Sequence, residues 1–261
     1  MHFFEANGIQ IHFCDEGPED AAVLIFSNSI ATDLTVWDDV ASRLTPYFRV
    51  IRYDARGQGK SDAPTGPYTI AQMADDVIAL MDYLGLMNAS FCGLSLGGMV
   101  GMWLASHHPE RIEKLVLCNT AVSVPPPEGW DARANVAKEG GMAAILPAVE
   151  SRWLSPDFLQ NASSKVEFLK EMVLRSPVDG YIGGCAAIRD MDQSESISTV
   201  QCPVLLVAGR HDLATSPEQL QRIQQLLESP AEYVELDCGH MTNVEKPQEL
   251  AEEILKFMKK D

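Results

Sequence analysis

The chain opens on alternating polar and apolar positions. Phe3-Phe4-Glu5-Ala6 and Ile9-Gln10-Ile11-His12-Phe13 flank Asn7-Gly8, and two such runs around a pair that tolerates positive φ predict a β-hairpin. The pattern then changes to short continuous apolar runs at residues 23–26, 50–53, 90–92, 115–118 and 204–207. Runs of that length predict parallel strands buried on both faces. Amphipathic stretches separate them. In residues 69–84, Ile70, Met73, Ala74, Val77, Ile78, Met81 and Leu84 recur at three-to-four spacing, with Thr69 and Gln72 placed as a capping box. Further helices are predicted near 34–44, 97–107, 218–227 and 248–258. The alternation gives an α/β fold, a mostly parallel doubly wound sheet of about eight strands behind an antiparallel N-terminal hairpin. Residues 123–195 break the rhythm. They open on Pro125-Pro126-Pro127 and run through helical patches without a strand-like stretch, so they are read as a helical cap (lid) inserted into a core of residues 1–122 and 196–261.

Composition narrows the functional classes. No stretch approaches the roughly 20 apolar residues of a membrane span. The net charge of −17 comes without any Lys/Arg cluster, which excludes nucleic acid, since phosphate backbones require clustered cations. An anionic small molecule would need local positive charge against that field. The N-terminus shows neither a basic leader nor a long apolar stretch, so a cytoplasmic location is expected. The six cysteines are far apart, without a C-x-x-C pair, and are expected to be reduced thiols. No metal-ligand spacing appears, and no cofactor is implied.

The chemistry centres on Gly93-Leu94-Ser95-Leu96-Gly97-Gly98, which follows an apolar strand and opens a helix. It fits G-x-S-x-G, the nucleophile elbow, in which a serine sits on a sharp strand-to-helix turn with small neighbours. Ser95 is then the nucleophile, and the Leu96 N–H is aimed at the developing oxyanion. A glycine-rich packing turn is the alternative reading. A base and an acid are needed later in the chain, at strand ends. Asp212 follows the 204–209 run and His240 follows 233–239, so the order Ser, Asp, His matches the α/β-hydrolase arrangement.

The other histidines are read as structural: His2 and His12 in the hairpin, His107 and His108 at a helix end, and His211 beside the acid. The second oxyanion donor is expected in the loop Ser27-Asn28-Ser29-Ile30-Ala31-Thr32, from the Ser29 N–H, with Asn28 as its substitute. Gly59-Lys60-Ser61 is not a phosphate loop, because Asp54 stands where the first glycine is required. The segment reads instead as a turn beneath the site in which Asp54 and Arg56 pair.

Several runs carry a narrower likeness: Phe26-Ser27-Asn28-Ser29 with Thr32-Asp33-Leu34 and Trp37-Asp38; Arg52-Tyr53-Asp54 with Arg56-Gly57; and Phe91-Cys92-Gly93-Leu94-Ser95. In the cap they are Gly129-Trp130 with Arg133, residues 150–153, and Gly180-Tyr181 leading to 185–192. Over nearly its whole length the chain resembles α/β-hydrolases of the 3-oxoadipate enol-lactonase type. The resemblance implies serine-dependent hydrolysis of a small anionic lactone, 3-oxoadipate enol-lactone, to 3-oxoadipate in the β-ketoadipate route of aromatic degradation. Asn28, Trp130, Arg133 and Trp153 become the expected substrate contacts, with Arg133 as carboxylate anchor. His211 beside the acid departs from the pattern, and acidic residues outnumber the seven Lys and Arg of the cap. A general carboxylesterase, a carbon–carbon hydrolase on the same triad, and a ligand-binding protein without turnover remain the alternatives. Oligomeric state is not legible.

Overall fold

The computed structural model describes residues 2–260. Strands β1 (His2–Ala6) and β2 (Ile9–Glu16) pair antiparallel, from Ala6↔Ile9 to His2↔Phe13. Between them Asn7 and Gly8 take φ values of 52° and 78°, the positive pair that a two-residue I′ hairpin needs. β2 also runs antiparallel to β4 (Arg49–Tyr53). The other strands, β3 (Val23–Ser27), β5 (Ala89–Leu94), β6 (Ile112–Cys118), β7 (Val204–Gly209) and β8 (Ala231–Leu236), join through parallel pairings. The eight strands lie in the order β1-β2-β4-β3-β5-β6-β7-β8. The predicted continuous runs are its centre: β5 and β7 are buried at every position, as strands covered on both faces must be.

Helices α1 (Asp38–Leu44), α2 (Ile70–Tyr83) and α3 (Leu96–His107) alternate with the strands. α2 starts where Thr69 Oγ1 accepts from Gln72 N at 3.1 Å; of the predicted stripe it buries Ile70, Met73, Ala74, Val77 and Met81, joined by Leu80, whereas Ile78 and Leu84 are only partly buried. The expected helix at 34–44 is divided. Residues Leu34–Trp37 form a 3₁₀ turn before α1, because Asp33 caps Thr35 N at 2.9 Å and Asp54 holds Leu34 N at 2.7 Å, tightening the entry. Between β6 and β7 the chain forms α4 (Pro127–Gly140), α5 (Leu146–Trp153), α6 (Pro156–Asn161), α7 (Ser163–Arg175) and α8 (Val178–Arg189). A single bridge, Ser123↔Asp192, joins the two ends of this segment, and α4 packs along α8. The chain closes with α9 (Pro217–Leu226), α10 (Thr242–Glu245) and α11 (Pro247–Met258), the last lying against α1.

The turn after β4 corrects one expectation. Asp54 and Arg56 do not pair with each other. Asp54 takes His12 Nδ1 at 2.7 Å and Lys60 N at 2.9 Å, whereas Arg56 reaches Asp76 on α2 through two 2.6 Å bonds. Asp76 lies on the buried face of that helix, where helical periodicity alone leaves no use for a carboxylate. Both partners of the Arg56–Asp76 pair are almost fully buried, with side-chain exposures of 2% and 1%. Arg56→Met strands a buried charge and is expected to lower stability by about 3–5 kcal/mol, read from the urea midpoint.

Candidate active site

The end of β5 and the start of α3 make a turn that only small residues allow. A Cβ on Gly93 would lie 2.2 Å from Gly97 O, and one on Gly97 would lie 2.2 Å from Ser27 O. The tight approach leaves Ser95 at φ 55°, ψ −115°, a conformation that costs an L-residue on the order of 1–3 kcal/mol and persists where its surroundings fix it. Those surroundings are explicit. Ser95 N donates to Cys118 O at 2.9 Å, while Ser95 O accepts from Met99 N at 3.0 Å and from Thr120 Oγ1 at 2.8 Å. The side chain is left at the head of α3, 7% exposed.

The second predicted group forms at the ends of β7 and β8. Asp212 Oδ2 accepts from His240 Nδ1 at 2.8 Å, both side chains being essentially inaccessible. The same oxygen accepts from Asn119 Nδ2 at 2.9 Å and lies 3.0 Å from Thr215 Oγ1, and Oδ1 accepts from Ala214 N and Thr215 N at 2.7 and 2.9 Å. Burial by itself would raise this carboxyl. The His240 charge and the hydrogen bonds from His240, Asn119 and Thr215 outweigh it and hold Asp212 below the ordinary carboxylate value. An ionised carboxylate only accepts, so Nδ1 of His240 carries its proton and Nε2 keeps the lone pair a base requires.

The sequence reading missed the residues that join these two groups. Asn119 and Thr120 follow β6 directly: Thr120 holds the Ser95 carbonyl and Asn119 holds Asp212. Thr215 Oγ1 donates to Asn119 O at 2.6 Å, and Thr242 Oγ1 bonds Asn119 Oδ1. Asn119 itself sits at φ 47°, a value asparagine tolerates better than most residues. The only local hints were an asparagine ending an apolar run and a threonine three residues after the acid. The backbone of His240 is fixed from the helical segment, its N–H donating to Trp153 O at 2.7 Å.

Beside this arrangement lies a cavity of about 280 Å³, lined from the loop after β3 by Ile30, from α4 by Arg133, from α5 by Val149 and Trp153, and from α8 by Tyr181. It does not include Ser95 or His240 in its wall. Trp153 bridges the two, with its ring 5.9 Å from the His240 ring. Of the expected substrate contacts, Arg133 and Trp153 line the cavity, and Asn28 and Trp130 do not. Asn28 Nδ2 is engaged by Thr32 O, Thr32 Oγ1 and Gln58 Oε1, so it shapes its loop. Trp130 donates to Val124 O at 3.0 Å and underlies the Arg133 guanidinium, 4.6 Å from its ring centre.

For the oxyanion donors, neither the Leu96 nor the Ser29 N–H is found bonded to a protein acceptor among the described residues. Ser29 is wholly buried, whereas its neighbour Ile30 reaches the cavity. His211 contacts Asp237 at the exposed surface, at 2.9 Å, away from Asp212. All six cysteines are free thiols. Among the described residues no group of three or more His, Cys, Asp or Glu is placed to hold a metal, and no helix is long and apolar enough to cross a membrane.

Residues 22–247 match the model of the alpha/beta hydrolase fold family. The chain is 35% identical to 3-oxoadipate enol-lactonase 2 of Acinetobacter baylyi, covering 98% of this chain and 95% of that protein. A Caulobacter protein named, provisionally, a carbamate hydrolase is 30% identical, over 95% and 94% of the two chains. The crystal structure of the enol-lactonase from Burkholderia xenovorans superposes with a TM-score of 0.97 at 37% identity, covering 99% of this chain and 100% of that one.

Proposed function

Because the chain belongs to the alpha/beta hydrolase family, of the 3-oxoadipate enol-lactonase type, we propose that it opens a small anionic enol-lactone with water through an acyl-enzyme on Ser95. The reading rests above all on the buried Asp212–His240 pair, tied through Asn119 and Thr120 to the carbonyl of a strained Ser95. Residues 123–195 act as the cap over this site, and the cavity beneath α4 and α5 receives the substrate. Its 280 Å³ falls just below the roughly 300–1,000 Å³ typical of ligand cavities, which suits a compact lactone better than a long acyl chain.

The steps follow from the groups present. His240 Nε2 takes the Ser95 proton as Oγ attacks the lactone carbonyl, forming the C–O bond of a tetrahedral intermediate. The Leu96 N–H and a second N–H from the Ser29 region hold its oxyanion. Collapse breaks the ring C–O bond as His240 gives its proton to the leaving oxygen, which departs as an enol. That enol tautomerises to a ketone, which opposes reclosure. His240 then takes a proton from water, which attacks the acyl-enzyme; collapse breaks the bond to Ser95 Oγ, which recovers the proton from His240 as the acid is released, while Asp212 keeps the imidazole Nδ1–H in place.

Two other reactions fit the same groups: ester hydrolysis, and carbamate hydrolysis, for which the Caulobacter relative is named. Turnover of 3-oxoadipate enol-lactone, an aryl acetate and a simple carbamate by the same preparation separates them. The expected result is a kcat/KM for the lactone at least about 100-fold above the other two. Preference for the ester or the carbamate removes the lactone assignment and keeps the triad. Inertness toward all three moves the ligand-binding reading forward.

A further inference from the structure

The chain has 37 acidic residues against 20 basic ones, and its arginines are used accordingly. Arg49, Arg52, Arg56, Arg111 and Arg189 are buried or partly buried, and each holds a carboxylate. Arg133 and Arg152 are also partly buried, yet neither has a carboxylate partner among the described residues. Both belong to the same neighbourhood. Arg133 lines the cavity from α4. Arg152 stands in the last turn of α5, next to Trp153 and one turn after Ala148 and Val149, which line it too, while Arg152 itself lies just outside the cavity wall. Its Nε is buried without a hydrogen-bond partner. Burial and the nearby Arg133 charge push the Arg152 guanidinium below its ordinary value, with Asp212 acting in the opposite direction. Arg152 therefore lies within electrostatic reach of both Arg133 and Asp212.

Two unpaired guanidinium groups repel each other, and a partly buried one without acceptors forfeits hydrogen bonds it would make in water. An anion between them relieves both penalties. We propose that Arg152, together with Arg133, forms a subsite for the free carboxylate of the substrate, which makes Arg152 a determinant of specificity for acids over neutral esters. This rests on the acyl-transfer reading above and adds to it the reason why a chain of charge −17 accepts an anionic substrate. Guanidinium suits the task, since its planar donors match both carboxylate oxygens.

The test uses Arg152→Met and Arg152→Lys in the full chain, with two readouts. One is the ratio of kcat/KM for the carboxylate-bearing enol-lactone to that for a neutral aryl acetate. The other is the affinity for adipate by calorimetry, with dimethyl adipate as the neutral control. Arg152→Met is expected to lower the ratio roughly 10- to 100-fold, chiefly through KM, and to weaken adipate binding by a similar factor. Arg152→Lys is expected to fall between. Equal loss on both substrates with adipate binding intact would mean that Arg152 serves Asp212 instead, and overturns the proposal. So does an unchanged ratio with unchanged adipate affinity, or wild-type protein that does not distinguish adipate from its dimethyl ester. If Arg152→Met fails to fold, as seen by thermal unfolding, Arg152→Lys decides, and less than about a threefold loss of adipate affinity counts against the subsite. Failure of the lactone reading alone is recognisable, because adipate binding and its dependence on Arg152 are measured without turnover.

Discussion

Ser95→Ala lowers kcat/KM for every substrate of this site by about 10⁴- to 10⁶-fold, the range seen when a serine nucleophile is removed from an intact triad. The loss is chemical. The scaffold holds Ser95 by its backbone, through Cys118 O, Met99 N and Thr120 Oγ1, and alanine keeps all three contacts. The melting temperature of the variant therefore stays within a few degrees of wild type, about the shift that 1 kcal/mol produces in a domain of this size. Residual activity is that of the oxyanion donors and substrate binding without a nucleophile.

Asp212→Asn lowers kcat by about 10³- to 10⁴-fold, less than loss of the nucleophile or the base. At this position Oδ1 is already bonded by the N–H groups of Ala214 and Thr215, so the amide oxygen settles there and its NH₂ faces His240. That group donates to Nδ1, the proton moves to Nε2, and the imidazole cannot accept from Ser95. The variant also carries a stability signature. Asp212 is held below the ordinary carboxylate value, so its ionised form stabilises the fold at and above about pH 4, and the contribution is lost as pH falls through the lowered folded value. Urea midpoints of wild type and Asp212→Asn measured from pH 7 downward should converge on the acid side.

Local pattern carried much of the architecture. The hairpin was legible in Asn7-Gly8, the central strands in uninterrupted apolar runs, α2 in its stripe and its Thr69 cap, and the elbow in three glycines whose absent side chains leave room for neighbouring backbone and for the Thr120 side chain. Each of these signals spans a few neighbouring residues. What the pattern did not carry depends on distant partners. Asp76 interrupts an apolar helix face because Arg56, twenty residues earlier, needs a carboxylate there. Asn119 is one asparagine after a strand until the loops holding Asp212 and Thr242 fold over it. Arg152 carries no local signal of its own, and it becomes conspicuous once every other partly buried arginine except Arg133 has found a carboxylate. Asn28 and Trp130, chosen by likeness, proved to support the loop and the arginine beside the cavity.

The central claim is that Ser95 is the atom-transferring residue and that the lactone meets it. The direct measurement is labelling by an organophosphorus serine reagent, followed by peptide mass spectrometry, with and without excess enol-lactone. The account predicts one phosphoryl group per chain, on the peptide containing Ser95, at a rate that falls as lactone is added. Labelling at another residue, or unlabelled Ser95 in protein that still hydrolyses the lactone, would contradict it.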